Sequence, residues 1–258
     1  MLVLAGSSGR VDEARARLLA SRGVLAVAVR WFGGPGQPPG ICEVPLETFT
    51  AVISELAASG ARRIGILGLS KGAEAALLVA TRDERVDAVV GVSPSAYAWA
   101  NVGPGRDGRD RPQRSSWTWR GRPVPFVPYD DTWEPTGPPP VAYAGLYRTS
   151  LAAVGSPPAL AAAAIDLDAS AADVVLVAGG DDQLWPSESF ARTLAASRRA
   201  GHPRPVRLVI EPAAGHRPVL PGEPAPSPSS ERTYGGTPEA DRALGRRAWP
   251  ELLDVLLA

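Results

Sequence analysis

The clearest structural signal in this 258-residue chain is Ile64-Gly65-Ile66-Leu67-Gly68-Leu69-Ser70-Lys71-Gly72-Ala73. It runs from an apolar, strand-like segment through a Gly-x-Ser-x-Gly pattern into a run of small residues that favours a buried helix. A serine at such a tight strand-to-helix turn exposes its hydroxyl above the sheet edge, and the helix N-terminus favours developing negative charge. The pattern predicts a nucleophile elbow with Ser70 as catalytic nucleophile, against the alternative of a structural Gly-Ser turn.

The chain offers two histidines as general base for this serine. His202 lies in a Gly/Pro-rich link between a predicted helix and a predicted strand, where a solvated side chain is expected. His216 follows the strand-like segment 206–210, and loops at the carboxyl edge of a parallel sheet carry catalytic groups. We therefore predict His216 as the base and His202 as a bystander.

The acid that orients this histidine is expected between Ser70 and His216 in the chain. The apolar strand 174–178 ends in Gly-Gly-Asp-Asp, which supplies Asp181 and Asp182. We choose Asp182, because the residues after the strand carry it over the sheet edge, whereas Asp181 can bond backbone N–H groups of the turn. The assignment between the two carboxylates stays open from the sequence.

Four stretches carry a family resemblance: residues 65–74, 179–185, 214–216 and 234–238. With them the chain resembles the catalytic domain shared by acyl-CoA thioester hydrolases and bile acid-CoA:amino acid N-acyltransferases. That family is a branch of the α/β-hydrolases near the dienelactone hydrolases. The resemblance implies serine in the elbow of the hydrolases and cysteine in that of the transferases, so Ser70 favours hydrolysis. It also implies an immunoglobulin-like domain ahead of the catalytic one in animal members, which we do not expect here because the chain begins at once with a predicted strand.

Composition is that of one catalytic domain covering residues 1–258. The chain is 45% hydrophobic and has 27 basic and 27 acidic residues, which gives no indication of nucleic-acid binding. One cysteine, Cys42, leaves no internal disulfide and fits a reducing compartment. No signal peptide or membrane-spanning segment is recognised, so we expect a cytoplasmic enzyme that acts on a small acyl thioester or ester without cofactor or metal.

Strand-like and helix-like segments alternate along most of the chain. The predicted strands are 2–5, 24–29, 64–67, 86–92, 174–178 and 206–210, and the predicted helices are 12–21, 45–58, 71–81, 186–199 and 238–257. This βαβ rhythm predicts an α/β-hydrolase fold with a mostly parallel sheet covered by helices on both faces.

An oxyanion hole is expected from two backbone segments. In hydrolases of this topology the residue after the nucleophile donates one N–H and the loop after the first strand donates another. These positions are Lys71 and one of Gly6, Ser7 and Ser8. The Lys71 side chain could meet a coenzyme A phosphate, although a solvated or ion-paired amine is favoured.

Residues 93–151 break the alternation and are predicted to form a lid-like insertion. They are rich in Pro, Gly, Arg and aromatic residues, and the aromatics argue against disorder. Folding over Ser70, they would offer apolar surface to an acyl chain from Trp99, Trp117, Trp119 and Phe126. Six arginines of the insertion, Arg106, Arg109, Arg111, Arg114, Arg120 and Arg122, could meet anionic groups, against the alternative of ordinary surface arginines.

The function predicted from these residues is cleavage of acyl thioesters through a seryl acyl-enzyme. The alternatives are a carboxylic ester or lactone hydrolase, an acyltransferase acting on a specialised metabolite, and a binding module without catalysis. The sequence does not specify the acyl group, the head group or the oligomeric state.

Overall fold

The computed structural model describes residues 1–258 and contains one six-stranded parallel sheet. In chain order the elements begin with β1 (Leu2–Leu4), α1 (Glu13–Ala20), β2 (Val27–Ala28), β3 (Val44–Pro45), α2 (Glu47–Ala58), β4 (Gly65–Leu69), α3 (Lys71–Ala80) and β5 (Ala88–Val92). They continue with β6 (Trp117–Trp119), β7 (Arg122–Pro123), α4 (Ala144–Ala153), α5 (Pro157–Ala163), β8 (Asp173–Gly179), α6 (Ser187–Ser197), β9 (Val206–Glu211) and α7 (Pro238–Leu257).

The sheet order is β2-β1-β4-β5-β8-β9, and every neighbouring pair runs parallel. Its central strands are apolar on both faces because helices cover both. Leu2 and Leu4 point into the larger apolar cluster, which includes α2 and α3, while Val3 points into the smaller one, which includes α7. This confirms the predicted mostly parallel sheet between two helical layers.

The predicted elements of the sheet region recur with shifts of a few residues at their ends. The largest difference is the second strand, predicted over residues 24–29 and observed only at Val27–Ala28. It lies at the edge of the sheet and pairs with β1 alone, so only two pairs of facing residues define it as a strand.

Residues 93–151, called the insertion below, are more ordered than the sequence indicated. They form β6 and β7, which join β3 in a small second sheet, and most of α4. The insertion packs over α3, whose ten residues are all buried. No helix in the structure combines the length and apolarity needed to cross a lipid bilayer.

Candidate active site

Ser70 sits on a strained turn between β4 and α3. Its backbone has φ 57° and ψ −121°, which lies in the positive-φ region that side chains rarely adopt. Two glycines permit the turn. A Cβ at Gly68 would collide with the backbone of Gly72, and a Cβ at Gly72 would collide with the carbonyl of Ala5. The geometry is that of the predicted elbow, with the Ser70 hydroxyl at the start of a helix.

His216 and Asp182 form a buried pair. The imidazole Nδ1 lies 2.7 Å from Asp182 Oδ2, and both residues are almost fully inaccessible. The other carboxylate oxygen, Oδ1, accepts hydrogen bonds from the backbone N–H groups of Leu184 and Trp185 at 2.9 and 3.2 Å. Both carboxylate oxygens and Nδ1 are thereby engaged, and Nε2 is the ring nitrogen left for proton transfer.

The backbone of His216 is held from two sides. Its N–H donates to the Tyr234 carbonyl at 2.8 Å, and its carbonyl accepts from the Ser93 hydroxyl at 2.9 Å. The ring packs against the edge of Trp185 and stacks at 6.0 Å on Tyr234. These contacts fix the imidazole at the sheet edge that carries Ser70.

Ser70 and His216 line the same cavity of about 670 Å³ at the carboxyl edge of the sheet. The structure shows no direct hydrogen bond between the Ser70 hydroxyl and the imidazole, a contact that often tightens only when substrate binds. Of the three predicted catalytic residues, the structure thus joins His216 and Asp182 by a hydrogen bond and places Ser70 in the same cavity.

The neighbouring candidates have other partners. Asp181 is exposed and bonds the Gly236 N–H at 2.9 Å and the Gln183 side chain at 2.5 Å, which is the turn role weighed for it. His202 lies in a surface turn, where its Nδ1 accepts from the Arg204 N–H at 3.1 Å. Neither residue lines a cavity with Ser70.

The predicted oxyanion donors surround the Ser70 hydroxyl. Lys71 is the first residue of α3, so its backbone N–H has no acceptor within the helix. Gly6 lies so close that a Cβ there would come within 3.2 Å of Ser70 Cβ. Gly6, Ser7 and Ser8 line the first cavity, and Ser7 lines the second one as well.

The Lys71 side chain is buried and ion-paired. Its Nζ lies 2.9 and 2.8 Å from the two carboxylate oxygens of Glu74, whose side chain is fully buried, and burial lowers the pKa of Lys71. The ammonium is therefore committed to Glu74, as the ion-paired alternative predicted. The sequence reasoning assigns no role to Glu74, although Glu74 lies one helical turn after the serine and three residues after Lys71.

A second cavity of about 460 Å³ also reaches Ser70. Its aromatic wall consists of Phe32, Tyr129, Tyr143, Tyr147 and Trp185. Burial raises the pKa of Tyr129 and of Tyr147, which keeps both phenols neutral. The two cavities share Ser7, Ser70, Leu184 and Arg232, so the serine lies where they meet.

The aromatic residues predicted to contact substrate lie in or against the apolar core instead. Trp99 and Trp117 are fully buried in the larger apolar cluster, and Trp119 and Phe126 are half-buried against it. None of the four lines either cavity. Their bulk supports the insertion from within, and tyrosines of the insertion form the cavity wall instead. Sequence alone could not separate the two groups, because both are aromatic residues of one irregular segment.

Most arginines of the insertion are engaged elsewhere or lie outside the cavities. Arg106 and Arg114 pair with the buried Glu43, and Arg120 lies over Trp119. Of the six arginines considered in the insertion, only Arg111 lines the second cavity. The first cavity has Arg10, Arg217 and Arg232 in its wall, none of which forms an ion pair, whereas Arg15 in the same wall pairs with Glu223.

Comparison with known proteins shows the family. The alpha/beta hydrolase family matches residues 2–227, so the chain belongs to that family. Two curated relatives are the mouse proteins acyl-coenzyme A thioesterase 2, mitochondrial, and acyl-coenzyme A thioesterase 1, each 24% identical to this chain over a 265-residue alignment. The alignments cover 96% of this chain but 52% and 57% of those proteins, so the chain spans about half the length of the curated relatives it matches.

A solved structure gives independent evidence on the fold. A putative dienelactone hydrolase from Klebsiella pneumoniae superposes with a TM-score of 0.52 at 15% identity, covering 99% of this chain and 85% of that one. The expected fold and the resemblance to thioesterases and dienelactone hydrolases are thus confirmed, and the findings support an enzyme of the hydrolase class.

Proposed function

We propose that this protein is a serine hydrolase that cleaves acyl thioesters through Ser70, His216 and Asp182. One observation carries the proposal: His216, whose buried imidazole lies 2.7 Å from the Asp182 carboxylate, lines the same cavity as a serine on a strained strand-to-helix turn. A positive-φ serine costs conformational energy, and such strained residues cluster at active sites. The turn exposes the hydroxyl, and the imidazole–carboxylate pair is the arrangement that activates a serine for acyl transfer.

The acylation half begins when Ser70 Oγ attacks the thioester carbonyl carbon while His216 Nε2 takes the hydroxyl proton. The carbonyl oxygen becomes an oxyanion, which accepts hydrogen bonds from the Lys71 N–H and from the loop of Gly6 to Ser8. The carbon–sulfur bond then breaks, the thiol leaves with the proton from His216, and the acyl group stays on Ser70 as an ester.

In the deacylation half, water attacks the seryl ester while His216 accepts its proton. The second tetrahedral species collapses, Ser70 recovers its proton from His216 and the carboxylic acid departs. Asp182 serves both halves because its bond to Nδ1 holds the ring tautomer that leaves Nε2 free to accept, and because the carboxylate stabilises the imidazolium.

Each of the two cavities can accommodate one side of a thioester, the acyl group or the leaving thiol. The second cavity presents aromatic side chains to an acyl group. The first presents the guanidinium groups of Arg10, Arg217 and Arg232, none of which forms an ion pair and which suit a leaving thiol that carries negative charge. The similarity to acyl-coenzyme A thioesterases supports an acyl-CoA as the substrate.

The proposed location is a reducing compartment, with the cytoplasm as the expected one. The chain has a single cysteine, Cys42, which is buried, so no part of the described fold depends on a disulfide. We further propose that the 258 residues act as one catalytic domain, with the insertion as part of the substrate site.

The test compares an acyl-CoA with the p-nitrophenyl ester of the same acid, using the wild type and Ser70→Ala. We expect the wild type to release free thiol and carboxylic acid from the acyl-CoA faster than it releases p-nitrophenol and the same acid from the oxygen ester, and we expect Ser70→Ala to release neither. Turnover of the oxygen ester alone would refute the thioesterase assignment in favour of an ester hydrolase. Mass spectrometry with added amine or alcohol acceptors provides the remaining check, because a conjugate in place of the free acid would identify an acyltransferase.

A further inference from the structure

The Glu74 carboxylate joins α3 to the insertion at a point one turn from Ser70. It is fully buried and accepts four hydrogen bonds. Two come from Lys71 Nζ, the third from the Trp117 indole N–H at 2.7 Å and the fourth from the Trp99 backbone N–H at 3.1 Å. Hydrogen bonds to an ionised acceptor are about twice as strong as neutral ones, so this carboxylate ties Trp99 and Trp117 of the insertion to the helix that carries the elbow.

Trp99 continues this connection to the wall of the second cavity. Its ring stacks on Tyr129 with 5.8 Å between centroids and an angle of 12°, and it meets Tyr147 edge-on at 4.6 Å. Both tyrosines line the cavity, and the Trp99 indole N–H is fixed separately by the Ser95 hydroxyl at 2.8 Å. A displacement of Trp99 would therefore move two residues of the cavity wall.

Trp117 reaches another part of the same wall. Its ring packs at 5.3 Å from Trp31, which packs at 4.6 Å from Phe32, a residue that lines the second cavity. One carboxylate thus fixes the supports of the tyrosines and of the phenylalanine. None of these three cavity residues forms a hydrogen bond with Glu74, so its packing influence on them passes through the two tryptophans.

We propose that Glu74 is a positioning residue that sets the shape of the second cavity relative to Ser70 and thereby selects the length of the acyl group. The inference rests on the proposed function in assigning that cavity to the acyl group. The competing explanation is that Glu74 only neutralises the buried Lys71 ammonium, since removing one partner of a buried ion pair is strongly destabilising by itself.

Two double variants separate the explanations, because both remove the pair of charges. Lys71→Met with Glu74→Gln keeps a carbonyl oxygen that can accept from Trp117 and Trp99. Lys71→Met with Glu74→Leu keeps only the volume and leaves both N–H groups unpaired. The readout is the affinity of the full chain for butyrate and for decanoate, carboxylic acids that bind without turnover, measured by calorimetry.

For the wild type we expect decanoate to bind more tightly than butyrate, because the longer chain buries more apolar surface. Relative to the Gln variant, the Leu variant should lose about tenfold or more for decanoate and less than about twofold for butyrate. Both variants carry Lys71→Met, so the loss of the Lys71 side chain, which lines the second cavity, cancels in this comparison. Equal behaviour of the two double variants would overturn the proposal, as would an equal loss for both acids or a wild type that shows no length dependence.

Thermal unfolding of each variant is measured alongside, with Asp83→Asn as the matched control. Asp83 follows the C-terminus of α3 and pairs with Arg85 away from both cavities, so this change should leave the affinity ratio unaltered. If the Leu variant does not fold, Trp117→Phe removes the indole donor and keeps a ring, and it should lower decanoate affinity about threefold without affecting butyrate. Length-dependent binding without Ser70-dependent hydrolysis would refute the proposed function alone.

Discussion

The sheet and the insertion are stabilised in different ways. The six parallel strands are joined by backbone ladders, and the four central ones are buried on both faces. The three proposed catalytic residues follow β4, β8 and β9. The insertion has strands of only three and two residues, and it is attached by short backbone ladders such as that of β6 with β3 together with buried side chains, among them Glu74 and Glu43. The sheet therefore fixes the proposed catalytic groups, whereas a few side-chain contacts set the shape of the second cavity, and the two properties should respond to different substitutions.

The largest effect is expected at the sheet edge. Ser70→Ala or His216→Ala should lower kcat/KM by about four orders of magnitude, because the nucleophile or its base is lost while the binding groups remain. Hydrolysis of an acyl-CoA is followed by thiol release, and thermal unfolding serves as the control. Activity within tenfold of the wild type for either variant would contradict the assignment.

The two adjacent carboxylates provide a matched pair for the next effect. Asp182→Asn should lower kcat by about three orders of magnitude, since an amide facing Nδ1 no longer favours the required tautomer. Asp181→Asn, which changes an exposed turn residue, should alter kcat by less than about threefold. Steady-state kinetics of both variants distinguish them, and the reverse order would identify Asp181 as the triad acid.

Gly6 tests the junction between the first strand and the elbow. An alanine Cβ would lie 3.2 Å from both Leu69 O and Ser70 Cβ, so the loop has to shift by a few tenths of an ångström. We expect Gly6→Ala to lower kcat by about 10- to 100-fold with little change in KM, because a displaced oxyanion donor acts on the transition state. An unchanged kcat would exclude this loop from the oxyanion hole.

The regular part of the molecule could be predicted because its signals repeat. Strands such as 174–178 are continuous apolar runs, and Asp182 and His216 could be located simply as residues following such runs. The choice between Asp181 and Asp182 needed the turn geometry, since it depends on which carboxylate faces the ring. Placement of Trp99 and Trp117 could not be predicted, because an irregular segment has no periodicity that separates core aromatics from those lining a cavity.

Glu74 shows the same limit for a polar residue. In the sequence it is one of two charged positions in an otherwise small and apolar helix, and a buried pairing with the other, Lys71, is only one possibility. Its bonds to Trp99 and Trp117 join residues 25 and 43 positions apart. Such contacts are set by tertiary packing and leave no local pattern.

The smallest predicted effect concerns an ion pair of the sheet region. Hydrogen bonds from Arg85 lower the pKa of Asp83, so its contribution to stability is present above the ordinary pKa of an aspartate and is lost as the pH falls through the lower folded value. Asp83→Asn should reduce the free energy of unfolding by about 0.5 to 1 kcal/mol at pH 7, a modest amount because Arg85 is partly exposed. Urea unfolding should show the difference shrinking below about pH 4, and a difference independent of pH would contradict the assigned cause.

The most direct test of the central claim is covalent labelling of the serine. A fluorophosphonate reacts only with a serine whose hydroxyl is activated, and peptide mapping by mass spectrometry locates the adduct. We expect a single adduct on Ser70 in the wild type and labelling at least about a hundredfold slower in His216→Ala. An unlabelled wild type, or an adduct on another serine, would contradict the proposed nucleophile and the mechanism built on it.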